Sequence, residues 1–361
     1  MKSSGTRYWR GIANGTHTGI IVRLLLVLLA PLSLLYTFIQ QLRAGFFRNG
    51  VLKIKRLPRP VVSVGNVTVG GTGKTPVTAY IARLLLEQGR RVAVISRGYG
   101  GSLEGQNVIV SDGTTIMVSA SECGDEPFLL ASTVPGLMVV IGTDRHAAGM
   151  LAMEQLSPEV FLLDDGFQHL RLHRDLNILL LDYTHPFGNG WTLPSGLLRE
   201  PKAAAKRADL IIQTRCPSDS ASAPPVYGIP FCNARHELYD CIPLSGGESF
   251  PLGIMQGQKL LAFAGIADPQ AFFDGLQEEG LNIVSTIALP DHVSYDSKLS
   301  NSIVEAFHSS HADYAITTEK DGVKLKRLSQ AFMGKTLLAR LNLTIINPTP
   351  LKALLLNLLH K

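Results

Sequence analysis

The residues from Thr68 to Thr75 run TVGGTGKT, and three kinds of group in them have a use at a phosphate. Gly70, Gly71 and Gly73, with Thr72 among them, leave backbone N–H groups free to close around phosphate oxygens. Lys74 supplies a charge that reaches the β and γ phosphates, and the Thr75 hydroxyl is a ligand for Mg²⁺. The stretch departs from the GxxxxGK[ST] pattern only at its first position, where Thr68 stands in place of glycine. A mere tight turn is the alternative. An eight-residue match between an apolar run and a helical pattern points instead to nucleotide binding, and it is silent on the reaction.

Carboxylates follow. VFLLDDGFQH (160–169) ends an apolar run in Asp164 and Asp165, the form of a Walker B strand that sets an Asp beside Mg²⁺. Alone, such a run is often just a strand entering a turn; behind a phosphate loop the metal role gains weight. CGDEPFLLA (123–131) places Asp125 and Glu126 ahead of an apolar stretch, where acids favour a helix N-terminus. A carboxylate at that point, close to a nucleotide, is also placed to accept a hydroxyl proton. LPDHVSY (289–295) offers Asp291 and His292, and TTEKDGVKL (317–325) offers Glu319, Lys320 and Asp321, the latter also a plain capping pattern from Thr318 to Asp321. Arg97 in ISRGYGG and Arg145 in GTDR are either phosphate or acceptor contacts or surface charges.

Positioning these groups takes a sheet. With 361 residues, 45% of them hydrophobic and 17% charged, the chain can bury a core in each of about two domains. From Pro60 onward strand and helix patterns alternate: VVSVG (61–65), RVAVIS (91–96), GLMVVIG (136–142), VFLLDD (160–165), LNILLLD (176–182) and DLIIQT (209–214) are candidate strands. Most are near-continuous apolar runs, as strands covered on both faces must be. The expected fold is therefore α/β, a P-loop NTPase-like parallel-sheet domain over 60–215 and a second, smaller α/β domain over 216–361. A Ser-, Ala- and Pro-rich stretch (216–230) opens the second part as a linker or edge ribbon. Cys123, Cys216, Cys232 and Cys241 show no CxxC pair or metal spacing, which fits a reducing compartment.

Residues 1–59 stand apart. They hold ten Lys or Arg and no Asp or Glu, so the whole surplus behind the net charge of +5 lies there. Lys2, Arg7, Arg10 and Arg23 precede the apolar run LLLVLLAPLSLLYTFI (24–39), and Arg43, Arg48, Lys53, Lys55, Arg56 and Arg59 follow it. The run is short of the ~20 residues of a perpendicular span, and Pro31 is expected to interrupt it. A membrane-seated helix with flanking charges on anionic headgroups is the expectation. A secretory signal or an ordinary buried helix are the alternatives.

Taken together, SVGNVTVGGTGKTP, ISRGYGG, GDEP, GTDR, LLDDGFQH, GLLREP, FAGIADPQAFF, LPDHVSY and TTEKDGVKL, in that order behind a basic apolar N-terminus, resemble the tetraacyldisaccharide 4'-kinases of lipid A biosynthesis over nearly the whole chain. The resemblance implies transfer of the ATP γ-phosphate, with Mg²⁺, to the 4'-hydroxyl of a tetraacylated glucosamine disaccharide 1-phosphate at the cytoplasmic face of the inner membrane. Two α/β domains joined by a ribbon would hold the site in their cleft. It implies that Lys74 and Thr75 bind phosphate and Mg²⁺, that Asp125 is the catalytic carboxylate assisted by His292, and that Glu126, Asp164, Asp165 and Gln168 support metal and phosphate. Its partners would be the acylated lipid and an anionic membrane surface, with no nucleic acid and no obligate protein partner. The rival from another class is a membrane-associated P-loop ATPase switch; its signature lysine would stand where this chain has Val69, and it has no need of GDEP and DH. A kinase for a soluble sugar would leave the first 59 residues unexplained.

Overall fold

The computed structural model of the chain describes residues 9, 11–13, 15–16, 19–217, 226–325 and 330–359. Lys2, Arg7 and Arg10 of the basic segment, and 218–225 of the Ser/Ala/Pro-rich stretch, lie outside the described residues.

The first half of the sheet is made of β1 (Val61–Asn66), β2 (Val92–Ser96), β3 (Val108–Asp112), β4 (Met138–Ile141), β5 (Val160–Asp164), β6 (Leu176–Asp182) and β7 (Leu210–Thr214). Every residue of β1, β2, β5 and β7 is buried, which is why they lack an in/out alternation. β1 lies between β5 and β6, with β2 and β4 beyond β5 and β7 beyond β6, all parallel. Strands β2 to β5 thus lie on one side of β1, with β5 returning next to it, and β6 and β7 lie on the other. That reversal is where an open α/β sheet leaves a crevice at its C-terminal strand ends. β3, which the apolar pattern does not single out, adds an antiparallel edge to β4.

A long ribbon carries the sheet onward. β8 (Phe231–Pro243) first pairs parallel with β7 and then, from Ala234, antiparallel with β13 (Thr336–Ile345), with the two-residue β9 (Phe250–Pro251) paired to the end of β8. Beyond β13, β12 (Tyr314–Thr318), β10 (Lys259–Ala264) and β11 (Asn282–Ala288) continue in parallel, so one sheet runs through both halves. The amphipathic helices Pro269–Glu278 and Ser297–Ser309 bury Phe272, Phe273 and Leu276, and Ile303 and Phe307, in two separate apolar clusters of the second half. The last helix (Thr349–Leu359), expected within the second unit, places Leu351, Leu355 and Leu358 in the same apolar cluster as Val62, Ile178 and Leu180 of the first half.

The N-terminal helix α1 spans Ile20–Arg48 and corrects the sequence-based expectation on one point: Pro31 lies inside it without breaking it. Proline removes one N–H from the helix ladder, leaving the Val27 carbonyl without that donor. The helix continues for 29 residues, roughly 43 Å at the usual rise, which makes it long and apolar enough to cross a bilayer. Ile20, Ile21, Leu24, Val27 and Leu28 all stand well exposed. It is an apolar N-terminal helix of the kind that associates with membranes.

Candidate active site

The phosphate loop connects β1 to α2 (Lys74–Glu87) as the spacing predicts. Asn66, buried at the end of β1, donates from Nδ2 to Thr72 Oγ1 at 2.8 Å, and the Thr214 hydroxyl donates to the Thr72 carbonyl at 3.1 Å. Gly73 has a left-handed backbone (φ 74°), and a Cβ there would stand 2.4 Å from the His236 ring. Glycine is therefore required at 73 by conformation and by the approach of the β8 ribbon. His236 is half-buried at the cleft wall; burial of the ring, with the Arg215 charge, pulls its pKa down to about 4, so the ring is neutral. Arg215 itself donates to the Gly71 carbonyl.

The carboxylates of the β5 end face this loop. Asp164 accepts from the Thr78 hydroxyl at 3.3 Å; burial, then the Glu126 and Asp165 charges, push its carboxyl up to about 7 against the pull of Lys74. Asp165 sits one residue later with a left-handed φ of 54°, a costly conformation of the kind found at functional sites. Its carboxylate lies 3.7 Å from Lys74 Nζ and accepts two hydrogen bonds from Arg199, at 2.8 and 3.1 Å. Burial alone would raise its pKa, and Lys74 and Arg199 more than offset that. Gln168 Nε2 donates to the Asn66 carbonyl at 2.6 Å. Arg145, left open between a contact and a surface charge, is buried, donates to the Gly142 carbonyl and feels both Asp164 and Asp165. Arg97 is largely exposed and paired with Glu104 at 3.0 Å.

Asp125 and Glu126 open the helix Asp125–Thr133 after Gly124, whose φ of 92° lets the turn pass 2.6 Å from the Tyr99 carbonyl where a Cβ would be. Across from them stands the second half of the protein. His292, itself at φ 58°, brings Nδ1 to 3.2 Å from Asp125 Oδ2, and its ring meets Tyr99 edge-on at 5.4 Å. Lys324 Nζ lies 3.3 Å from the same Asp125 oxygen and 3.4 Å from fully buried Asp321. Lys320 pairs with Glu126 at 3.5 Å and Asp291 at 3.3 Å. Thr318 caps its short helix by accepting from the Asp321 N–H, so the TTEKD stretch is a cap and, through Lys320, a contact across the cleft.

All the loop residues from Val69 to Thr75, with Glu126, Asp164, Asp165, Gln168 and His292, line one cleft of about 1970 Å³. Thr68 lies just before it, bridged to Leu198. The space exceeds the ~300–1,000 Å³ of an ordinary single-ligand pocket, so it has room for two substrates. A nucleotide with Mg²⁺ suits the residues present. Arg145 Nε and His236 Nε2, on the cleft walls, are buried without a hydrogen-bond partner among the described residues, as befits walls that await a polar ligand. No group of three His, Cys, Asp or Glu side chains gathers as a metal cage among the described residues. A hydroxyl and one or two carboxylates, completed by phosphate oxygens and water, are the usual Mg²⁺ set. The sequence reasoning missed Arg199, Lys324 and His236. GLLREP marks Arg199 only as part of a pattern, and nothing local says that Lys324 or His236 crosses the cleft.

The family model for tetraacyldisaccharide-1-P 4'-kinase matches residues 25–360. The chain belongs to that family. It is 62% identical over 361 residues to the tetraacyldisaccharide 4'-kinase of Pelobacter propionicus, covering 100% of both chains. With that of Geobacter sulfurreducens it shares 53% over 356 residues, covering 98% of this chain and 99% of the relative. The crystal structure of LpxK from Aquifex aeolicus in complex with ATP superposes with a TM-score of 0.79 at 36% identity, over 93% of this chain and 99% of that one. Family membership and this structural match carry the α/β expectation, and they weigh against the ATPase-switch rival.

Proposed function

We propose that the chain transfers the γ-phosphate of ATP to the 4'-hydroxyl of a tetraacylated glucosamine disaccharide 1-phosphate, a step of lipid A synthesis. The observation that carries this reading is that the Asp125 carboxylate, on the same half of the protein as the phosphate loop, is met at 3.2 Å by His292 from the opposite wall of the cleft. An ATPase needs no carboxylate held from a second wall to accept an alcohol's proton; a kinase for an alcohol does.

In this reading Gly70 to Gly73 wrap the phosphates, Lys74 draws charge from the β and γ oxygens, and Arg145 and Arg199 add positive charge behind Asp164 and Asp165. Thr75, Asp164 and Asp165 would hold Mg²⁺, which when bound neutralises the phosphate oxygens. Asp125 takes the proton of the 4'-hydroxyl as it attacks. Burial would raise its carboxyl, but the hydrogen bond from His292 and the charges of Lys324 and Lys320 hold it below the usual range. Asp125 is therefore a weak base, well oriented, that suits a late proton transfer in a loose phosphoryl-transfer transition state. Glu126 and Gln168 brace the neighbouring walls. The acylated acceptor reaches the cleft from a bilayer on which α1 and its flanking basic residues seat the protein, at the cytoplasmic face, where ATP is available.

The test is phosphate transfer from γ-labelled ATP with Mg²⁺ to a detergent-solubilised acylated disaccharide 1-phosphate, beside Lys74→Ala. Labelled lipid that vanishes in the variant is expected. ATP hydrolysis with no labelled lipid would overturn the proposal in favour of a switch.

A further inference from the structure

Within its apolar run α1 carries few polar side chains, and they share a face. Ser33, Tyr36 and Thr37 are spaced three and four apart, so they form one stripe on the helix. The stripe lies on a single loop, residues 189–199. Ser33 is fully buried; its Oγ accepts from the Ser195 N–H at 2.9 Å, and its own proton faces the Thr192 carbonyl at 3.0 Å and Ser195 Oγ at 2.8 Å. The Thr192 hydroxyl donates to the Ser33 carbonyl at 3.0 Å and lies 2.8 Å from Thr37 Oγ1, while the Tyr36 hydroxyl donates to the Arg199 carbonyl at 3.0 Å. Anchoring in a bilayer asks only for apolar side chains. Buried hydroxyls cost free energy unless they are bonded, and these are bonded to that loop.

The opposite side of the same loop holds the front of the phosphate loop. The Val69 N–H donates to the Leu197 carbonyl at 2.8 Å, the Arg199 N–H donates to the Val67 carbonyl at 2.7 Å, and Thr68 bridges Leu198. Arg199 then reaches Asp165 with its guanidinium, and Asp165 reaches Lys74. One loop therefore has the membrane helix on one side and the phosphate site on the other, with Arg199 bonded to both through its carbonyl and its side chain.

We propose that Ser33, Tyr36 and Thr37 are positioning residues for phosphoryl transfer: the seating of α1 on loop 189–199 fixes Arg199 and, through it, Asp165 and the start of the phosphate loop. This rests on placing the nucleotide at TVGGTGKT. Its consequence is that the helix does more than localise the protein. Shifting it off the loop loosens the Arg199–Asp165 pair even when the cleft itself is untouched.

The experiment uses the full chain in detergent with Tyr36→Phe and Ser33→Ala/Thr37→Val. ATP affinity is read without acceptor, turnover with acceptor, and flotation on phosphatidylglycerol vesicles. Flotation is expected to stay within twofold of the parent while ATP affinity and kcat each fall about three- to tenfold, the scale of one lost buried hydrogen bond. A double-mutant cycle supplies a readout that loss of stability alone would not give. If Tyr36 acts through Arg199, then Tyr36→Phe has little further effect on ATP affinity in an Arg199→Lys background. Fully additive effects, or unchanged ATP affinity and kcat in both α1 variants, would overturn the coupling, and so would activity lost only in step with flotation. Lys74→Ala run alongside separates the two readings: if it binds ATP like the parent, the nucleotide placement fails and takes this proposal with it.

Discussion

Asp125 Oδ2 and His292 Nδ1 meet at 3.2 Å although 167 residues separate them in the chain. Each comes from a different half of one sheet, so the contact exists only when the β8–β13 ribbon brings the halves together. Asp125→Asn keeps the side-chain shape and removes the proposed proton acceptor. Turnover is expected to fall on the order of 10²- to 10⁴-fold with ATP affinity within a few-fold of the parent. Steady-state kinetics beside equilibrium ATP binding checks this, and parent-like turnover removes Asp125 from the mechanism.

Burial raises the Asp125 pKa, and the His292 hydrogen bond and, after it, the Lys324 charge lower it. Asp125 faces Lys324 and Lys320 from the TTEKDGVK segment, His292 and Asp291 from the LPDH turn, and Glu126, Asp321 and the Tyr295 ring beyond them. Burial works to raise its pKa, and removing one of the nearby cations leaves burial less opposed. The base must be ionised to work, so a higher pKa moves the acid limb of the kcat profile to higher pH. Lys324→Met is predicted to do this; an acid limb that stays in place would show that Lys324 does not tune Asp125.

Asp164 carries the opposite sign. Its folded pKa of about 7 lies above its ordinary value of 3.8, because the carboxyl is buried near Glu126 and Asp165. Between those two values the folded state holds a proton that the unfolded state has lost, so the stability tied to this group is fully present below 3.8 and is lost progressively as pH rises from there through about 7. Asp164→Asn is expected to raise the melting temperature of the ligand-free protein most at pH 8, by clearly less at pH 5, which lies between the two pKa values, and to abolish turnover. Equal shifts at both pH values would contradict this account.

Gly73 and His236 form a second long-range pair. A methyl at 73 would meet the imidazole at 2.4 Å and would also occupy a left-handed backbone, worth roughly 1–2 kcal/mol for an L-residue. Gly73→Ala should therefore weaken ATP binding and lower stability together. Adding His236→Ala relieves the contact but not the backbone cost, so the double variant is expected to melt above Gly73→Ala and below the parent. A double variant no better than Gly73→Ala would mean that the ring is not what excludes a side chain.

Much of the first half was legible because its strands are short apolar runs separated by helical patterns, and because the phosphate loop and the β5 acids are contiguous in sequence. β3 was not: an edge strand with a half-exposed face lacks the apolar run that marks its neighbours. Pairing across the cleft was beyond reach of local pattern. A capping sequence such as TTEKD looks the same whether its lysine points to water or, as Lys320 does, to Glu126. Pro31 misled for a physical reason. A proline costs a helix one hydrogen bond, which a long, otherwise regular helix carries without ending.

The outer part of α1 should govern membrane attachment separately from its seat on the loop. Leu24 and Leu28 are 66% and 74% exposed and lie on the part of the helix ahead of Ser33, so they make no part of the loop contact described above. Each leucine placed in a bilayer contributes about 1.5–3 kcal/mol, and each nearby basic residue such as Arg23 or Arg43 about 1 kcal/mol at an anionic surface. Leu24→Glu/Leu28→Glu is therefore expected to reduce flotation on phosphatidylglycerol vesicles by well over tenfold while leaving turnover on detergent-solubilised acceptor close to that of the parent. Raising salt should weaken the parent's attachment only in part, since screening removes the headgroup contribution and leaves the apolar one. Undiminished flotation of the double variant at high salt would place the membrane contact elsewhere on the chain.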